Sequence, residues 1–362
     1  MSKRKIKVLF SGGGTLGPVT PLLAVHEYLK EEYPEAEFIW VGTKNGPEKS
    51  LITDAGIAFL TIASGKLRRY LSFWNVTDIF KIIFGFFQSL FIIYRQTPDF
   101  CVSAGGFVSV PVHWAAWLFG IPTWVHQQDV VVGLANQMMA PLARVITTAL
   151  KPSVKLFSAK KTFWLGNPVR SLVLQGERTA GLKAFRLPEK EPVVLALGGG
   201  TGSMRVNLLM IQAVQHLVGF CQVVHLSGRE RPQDLVERAV KHFPYYQVHQ
   251  FLGKEMPLAY AVADLVIARG GFGTLSELAA LGKPAILIPK PGHQEENVKF
   301  LAQAGVVEVL DERTADGNLL ARTIRELLAD KERMFQMGEG LKKVLPPAKK
   351  EEILEIVSFL LK

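Results

Sequence analysis

Val8-Leu9-Phe10-Ser11-Gly12-Gly13-Gly14-Thr15-Leu16-Gly17 is an apolar run that breaks into glycines, and a helical pattern from Pro21 to Leu29 follows it. The same arrangement returns at Val193-Val194-Leu195-Ala196-Leu197-Gly198-Gly199-Gly200-Thr201-Gly202-Ser203. Strand, glycine turn and helix, in that order, open a wound α/β unit. Glycines let a backbone approach a ligand, and a helix start offers free N–H groups and partial positive charge to phosphate. A third loop, Arg269-Gly270-Gly271-Phe272-Gly273-Thr274, precedes a helical pattern at Leu275–Leu281. Tight strand–helix turns alone would also explain any one of these loops.

Working outward, short apolar runs alternate with helical patterns, as in a parallel sheet with crossover helices. The expected strands of the first half are Ile6–Phe10, Phe38–Val41, Phe100–Ser103, Thr123–His126 and Val145–Thr148. Those of the second are Val193–Leu197, Gln222–Leu226, Gln247–Phe251, Leu265–Ala268 and Ala285–Ile288. Gly166-Asn167-Pro168 interrupts the pattern and marks a linker. The division is therefore 1–165, 166–348 and a helical tail 349–362, able to pack back on either half, the N-terminal one being expected. Chain length points the same way, since 362 residues exceed what one core usually organises.

The opening loop fits G-x-G-x-x-G at Gly12, Gly14 and Gly17. A nicotinamide site would also need an acid where the second strand ends, to hold the ribose. That strand ends at Val41-Gly42-Thr43 and its counterpart at Leu226-Ser227-Gly228, both without the acid. Nicotinamide binding is not expected on this ground.

A hydrophobic fraction of 48% with 20% charged residues excludes a disordered chain. Two cysteines, Cys101 and Cys221, cannot build a disulfide framework or a Cys-ligated zinc site. No export signal is expected, because the first residues run straight into a strand. The most apolar stretch, Ile79–Tyr94, is interrupted by Lys81, Gly85 and Gln88 and falls short of the ~20 residues a spanning helix needs. A formal charge of +10 favours an anionic partner, nucleic acid or an acidic membrane face.

Further motifs lie between the glycine loops: Gly65-Lys66-Leu67-Arg68-Arg69-Tyr70, Ser103-Ala104-Gly105-Gly106-Phe107-Val108-Ser109-Val110-Pro111, His126-Gln127-Gln128-Asp129 with Gly133-Leu134-Ala135-Asn136, and Gly166-Asn167-Pro168-Val169-Arg170. The second half adds Ala263-Asp264-Leu265-Val266-Ile267-Ala268, Thr274 to Glu277 and His293-Gln294-Glu295-Glu296-Asn297. In this order the motifs resemble the MurG family of bacterial UDP-N-acetylglucosamine transferases, glycosyltransferase family 28, which convert lipid I to lipid II in peptidoglycan synthesis. The likeness runs from residue 11 to about residue 305. It implies a GT-B fold of the α/β class, two Rossmann-like domains facing across a cleft, acceptor on the first and UDP-sugar on the second.

On that resemblance Glu277 accepts the ribose hydroxyls, although a first-turn acid favoured by the helix dipole would look the same. Phe251 and Leu252 meet uracil, and Arg170 meets the pyrophosphate, where a guanidinium would stabilise leaving UDP. Gln294 with Asn297 reads sugar hydroxyls. Thr15, Gly17, Asp129, Gly200, Thr201, Phe272, Thr274 and His293 complete the expected donor set. Gly14, Gly105, Gly106 and Ser109 are the expected acceptor set, the last three on its pyrophosphate. The implied reaction is direct displacement with inversion, and neither metal nor cofactor is expected.

Five positions depart from the family pattern. The histidine after the opening glycines is Pro18, which has neither a basic side chain nor an N–H. The family's His-Glu-Gln-Asn reads His126-Gln127-Gln128-Asp129, a serine of the second glycine loop is Gly200, and a glutamine before Gln294 is His293. Asp129 or His126 is therefore the candidate general base, a role typically worth ~10²–10⁴-fold. A strand-end histidine and a loop acid without catalytic duty are the plainer alternative. Around Leu71–Tyr94, Phe73, Trp74, Phe80, Phe84, Phe86, Phe87, Phe91 and Tyr94 stand among Lys66, Arg68, Arg69, Lys81 and Arg95. Such a helix suits an anionic membrane interface, and an ordinary buried helix is the alternative.

Taken together, the expected partners are UDP-N-acetylglucosamine, an undecaprenyl-linked acceptor, the anionic inner-membrane surface and cell-wall assembly proteins, with no nucleic acid. The expected place is the cytoplasmic face of the cell membrane, peripherally. Two rivals remain: a related GT-B transferase with altered donor or acceptor, and a catalytically weak UDP-sugar-binding protein.

Overall fold

A computed structural model describes residues 5–65 and 73–362, with the backbone alone for 73–77 and 293. The chain forms two compact units, Met1–Arg170 with Pro347–Lys362, and Ser171–Pro346. The first holds seven parallel strands, β1 (Lys7–Ser11), β2 (Glu37–Gly42), β3 (Ala58–Thr61), β4 (Phe100–Ser103), β5 (Thr123–Gln127), β6 (Val145–Thr148) and β7 (Thr162–Trp164), ordered β3-β2-β1-β4-β5-β6-β7. Central strands are buried on both faces, so they read as unbroken apolar runs. Val8 pairs with Phe38 on one side and Phe100 on the other, and neither Val8 nor Phe100 is solvent-accessible.

The second unit holds six parallel strands, β8 (Val193–Leu197), β9 (Gln222–Leu226), β10 (Tyr246–His249), β11 (Leu265–Ala268), β12 (Ala285–Leu287) and β13 (Glu308–Val309), ordered β10-β9-β8-β11-β12-β13. Both sheets are doubly wound, and both reverse strand order beside their first strand, between β1 and β4 and between β8 and β11. Three strands escape the pattern of apolar runs: β3, β7 and β13. All three are sheet edges, short and partly solvated, so no apolar run announces them.

Several boundaries differ from expectation. The first unit keeps Gly166–Arg170, because Tyr28 Oη donates to Val169 O at 3.0 Å and Val169 is buried. Pro347 bridges Asn167, and Ala348 N–H donates to Asn167 O at 2.9 Å, so the chain crosses back here. The helix Lys350–Leu360 then buries Ile353, Val357 and Leu360 in the core of the first unit with Ile6, Leu22 and Leu29. Three such side chains represent about 5 kcal/mol or more of burial before entropy is counted. The tail is thus an integral part of that core.

The apolar stretch Ile79–Tyr94 belongs to one longer helix, Phe73–Gln96. It packs on the helix Ser109–Leu118 through Ile93, Val112 and Ala116. Among the described residues no helix is long and apolar enough to cross a membrane. Its far side is not an ordinary buried face: Phe80, Phe84, Phe87, Phe91 and Tyr94 are all at least 60% exposed. Spacings of four and three residues place these five rings on one stripe. Lys66, Arg68, Arg69 and Leu71 lie outside the described residues, as do the side chains of Phe73 and Trp74.

Candidate functional site

The expected residues of the first unit gather at the C-terminal edge of its sheet, around the reversal between β1 and β4. That is where open α/β sheets bind ligands. Gly105 and Gly106 have φ of +115° and +91°, a backbone that side chains rarely adopt. A Cβ on Gly106 would stand 3.1 Å from Gly13 O, so the loops after β1 and β4 interlock backbone to backbone. Ser109 Oγ donates to Gly105 O at 3.0 Å and is fully buried. Its hydroxyl thereby holds the shape of the loop expected to receive the acceptor pyrophosphate.

Beneath the first loop lies Glu48, at 0% exposure. Its carboxylate accepts from Gly14 N at 3.2 Å, Thr43 N at 2.8 Å and Thr43 Oγ1 at 2.5 Å. Gly14 therefore spends its N–H inward and gives the loop shape, with φ of +79°. Thr15 and Gly17 are exposed. Gln128 Nε2 donates to Gly17 O at 3.2 Å, tying the segment after β5 to the same loop. Gln127 Nε2 donates to Asp129 O at 2.7 Å, and Asn136 Nδ2 donates to Gln127 Oε1 at 2.7 Å. This ladder holds Asp129, half-buried, at the end of β5.

His126 has a different place. It is 1% exposed, with Nδ1 2.8 Å from Thr147 Oγ1 and Nε2 2.9 Å from Asn167 Oδ1. Burial pulls its pKa down to about 4. A neutral ring with Nε2–H donating to Asn167 and Nδ1 accepting from Thr147 satisfies both contacts. With both nitrogens engaged inside the fold, His126 holds the Gly166-Asn167-Pro168 crossing through Asn167, which favours the plainer reading of a strand-end histidine. Arg170, half-buried, ends that crossing.

In the second unit the loops after β8 and β11 flank the other reversal. Gly199, Gly202 and Gly228 have φ of +84°, +82° and +100°. A Cβ on Gly228 would lie 2.1 Å from Gly202 Cα, so the loop after β9 presses on the glycine loop. Gly200 is exposed and Thr201 half-buried, while Ser203 caps the helix Met204–Ala213 by accepting from Val206 N. Arg269 fastens the third loop to this one: Nε donates to Ser203 Oγ at 2.8 Å and Nη1 to Ile288 O at 2.9 Å, and the guanidinium pairs with Glu312.

Glu277 sits in the helix Phe272–Leu281 and accepts from Tyr260 Oη at 2.8 Å. Thr274 is half-buried one turn earlier. Phe272 is 6% exposed, so its ring fills the core and only its backbone is open to a ligand role. The helix His293–Gln303 closes on the third loop, since a Cβ on Gly270 would meet Val298 Cγ2 at 2.4 Å and one on Gly271 would lie 3.9 Å from Gln294 Nε2. Gln294 Oε1 accepts from Lys290 N at 3.1 Å, and Asn297 is buried. The His293 side chain lies outside the described residues. Phe251 lies past the end of β10, its ring 3.7 Å under the Arg229 guanidinium, and Leu252 is buried.

Sequence reasoning did not single out Glu48, Arg229, Tyr260 or Arg269 as site residues. Glu48 does carry a sequence signal, an acid shortly after β2: it stands on the helix Glu48–Asp54 and folds back under the glycines. The other three are read only from contacts across the fold.

Family models match both units, the glycosyltransferase family 28 N-terminal domain at residues 8–148 and its C-terminal domain at residues 193–351. A relative from Clostridium perfringens, named UDP-N-acetylglucosamine–N-acetylmuramyl-(pentapeptide) pyrophosphoryl-undecaprenol N-acetylglucosamine transferase, is 34% identical over 96% of this chain and 99% of its own length. One from Bacillus cereus, with the same name and the number 2, is 33% identical over 90% and 93%. Among solved structures, Acinetobacter baumannii MurG superposes with a TM-score of 0.75 at 23% identity, covering 98% of this chain and all of that one. The UDP-GlcNAc 2-epimerase of Neisseria meningitidis, bound to UDP-GlcNAc, shares the fold at 0.69 and 12% identity, over 99% of both chains.

Proposed function

The chain belongs to glycosyltransferase family 28, and on that premise we propose that it moves N-acetylglucosamine from UDP-N-acetylglucosamine to the C4 hydroxyl of undecaprenyl-pyrophosphoryl-N-acetylmuramyl-peptide. The observation that carries this reading is likeness along the whole chain to transferases of that name, with paired glycine loops at the strand-order reversal of both units.

In this reading the acceptor oxygen attacks the anomeric carbon, the bond from that carbon to the UDP oxygen breaks, and the hydroxyl proton passes to a base. An α-linked donor gives a β-linked product. Asp129 is the favoured candidate for that base, since His126 is buried with both nitrogens engaged. Gly105 and Gly106 cradle the acceptor pyrophosphate. Arg170 and the backbone from Gly200 to Ser203, at a helix start, take up charge on departing UDP. Glu277 holds the ribose, Gln294 with His293 the sugar, and Phe251 with Leu252 the uracil. The aromatic stripe of the helix Phe73–Gln96 rests on the anionic face of the inner membrane, where the acceptor's lipid resides and cell-wall assembly proteins would meet it.

Pro18, which can neither accept nor donate a proton, favours a second reading, a related transferase with an altered acceptor or donor. One assay separates the two: purified chain, UDP-N-acetylglucosamine and a short-chain lipid I analogue, followed by mass spectrometry. A product heavier by one N-acetylhexosamine supports the first reading. Donor binding without that product refutes it and leaves an altered substrate or a binding-only role.

A further inference from the structure

We propose that Glu48 is the positioning residue of the acceptor-side glycine loop: its buried carboxylate clamps the loop after β1 to the end of β2 and thereby sets how the acceptor is received. The inference rests on the assignment of that loop to the acceptor.

Glu48 is fully buried, and among the described residues no cation pairs with it. A buried carboxylate in that position depends on hydrogen-bond donors. It has three, from Gly14 N and from the backbone and hydroxyl of Thr43. The space is made by glycines: a Cβ on Gly13 would stand 2.1 Å from Glu48 Oε1, and one on Gly46 1.9 Å from Oε2. The clamp matters beyond Gly14 because Gly13 is the backbone against which Gly106 of the second loop packs. One carboxylate therefore sets the spacing of both acceptor loops. Glutamine in its place brings an NH2 against one of these donors, whichever way the amide turns.

The test uses the full-length chain with Glu48→Gln and, as a milder change, Thr43→Val, which removes only the hydroxyl donor. Two readouts are taken. In hydrogen exchange, amides of residues 12–17 should exchange at least about tenfold faster in Glu48→Gln while peptides of the second unit keep their rates. In steady-state transfer, the acceptor KM should rise about tenfold or more and by more than the UDP-N-acetylglucosamine KM, to which Thr15 and Gly17 of the same loop are expected to contribute. Thr43→Val should move both in the same direction by less. Unchanged exchange at 12–17 overturns the clamp even if the chain turns out to transfer nothing. Faster exchange with acceptor and donor KM unchanged, or raised equally, overturns its effect on the acceptor. A wild-type chain that makes no product sinks the assigned reaction instead, and the exchange data still decide the clamp.

Discussion

Arg269→Met keeps the length of the side chain and removes the guanidinium that joins the two glycine loops of the second unit. Three contacts go with it: the bond to Ser203 Oγ, the bond to Ile288 O, and the pairing with Glu312. The two side chains are only 13% and 20% exposed, so Glu312 would be left largely buried without its cation. Removing one partner of a buried pair costs about 3–5 kcal/mol, and the residual exposure of Glu312 argues for about 3. In a unit of this size, about 2–4 °C of melting temperature is lost per kcal/mol, so calorimetry should show a fall of about 6–12 °C. Arg269→Met with Glu312→Gln removes the orphaned charge and should recover about half of that loss. Because Ser203 also caps the helix Met204–Ala213, UDP affinity by titration calorimetry should drop in the single variant as well. If the single variant melts within about 2 °C of wild type, or the double variant melts lower than it, the cluster does not hold these loops together.

Glu277→Gln should raise the UDP-N-acetylglucosamine KM about 10- to 100-fold, the scale of charged hydrogen bonds to a ribose, with the melting temperature little changed. An unchanged donor KM would remove Glu277 from the ribose site. Asp129→Asn should slow transfer by at least about 100-fold, and a rate within a few-fold of wild type ends its candidacy as base. Charging the aromatic stripe with Phe84→Glu, Phe87→Glu and Phe91→Glu together should abolish co-sedimentation with phosphatidylglycerol vesicles while the fold persists, because these rings are exposed. Undiminished co-sedimentation would place membrane contact elsewhere. Acid should destabilise the chain through buried histidines: burial holds His113 and His225 to about 3 and His126 to about 4, against about 6.5 unfolded. Each stays neutral when folded while the unfolded chain takes up a proton, so their stabilisation is full above pH 6.5 and is lost progressively down to about pH 4 for His126 and about pH 3 for His113 and His225. At pH 5 the loss is about 2 kcal/mol per histidine, a fall readable by thermal melts between pH 7 and 5. Neither ring nitrogen of His113 has a hydrogen-bond partner among the described residues, so His113→Leu should make that fall shallower. An identical pH slope would refute the assignment.

The central strands and glycine loops were legible because local chemistry determines them. A strand buried on both faces must be apolar throughout, and a backbone at positive φ in a crowded loop calls for glycine. That is why β1, β4, β8 and β11 and the turns after them could be read one residue at a time. Aromatic and basic composition also pointed to the amphipathic helix, though the apolar run marked only its core and not its full extent from Phe73 to Gln96. Edge strands β3, β7 and β13 carried no such mark, since half of their surface meets water. Pairing across the fold was beyond the sequence altogether. His126 and Asp129 stand three positions apart, yet one is sealed between Thr147 and Asn167 and the other lies at a strand end, half-buried. The sequence does not show that the Ser109 hydroxyl is held on Gly105 O, a contact made only by the loop's fold. Glu48, Tyr260 and Arg269 acquire their partners 34, 17 and 43 residues away. A hydrogen bond over such separation depends on how helices seat against the sheet, which the local pattern of a chain does not encode.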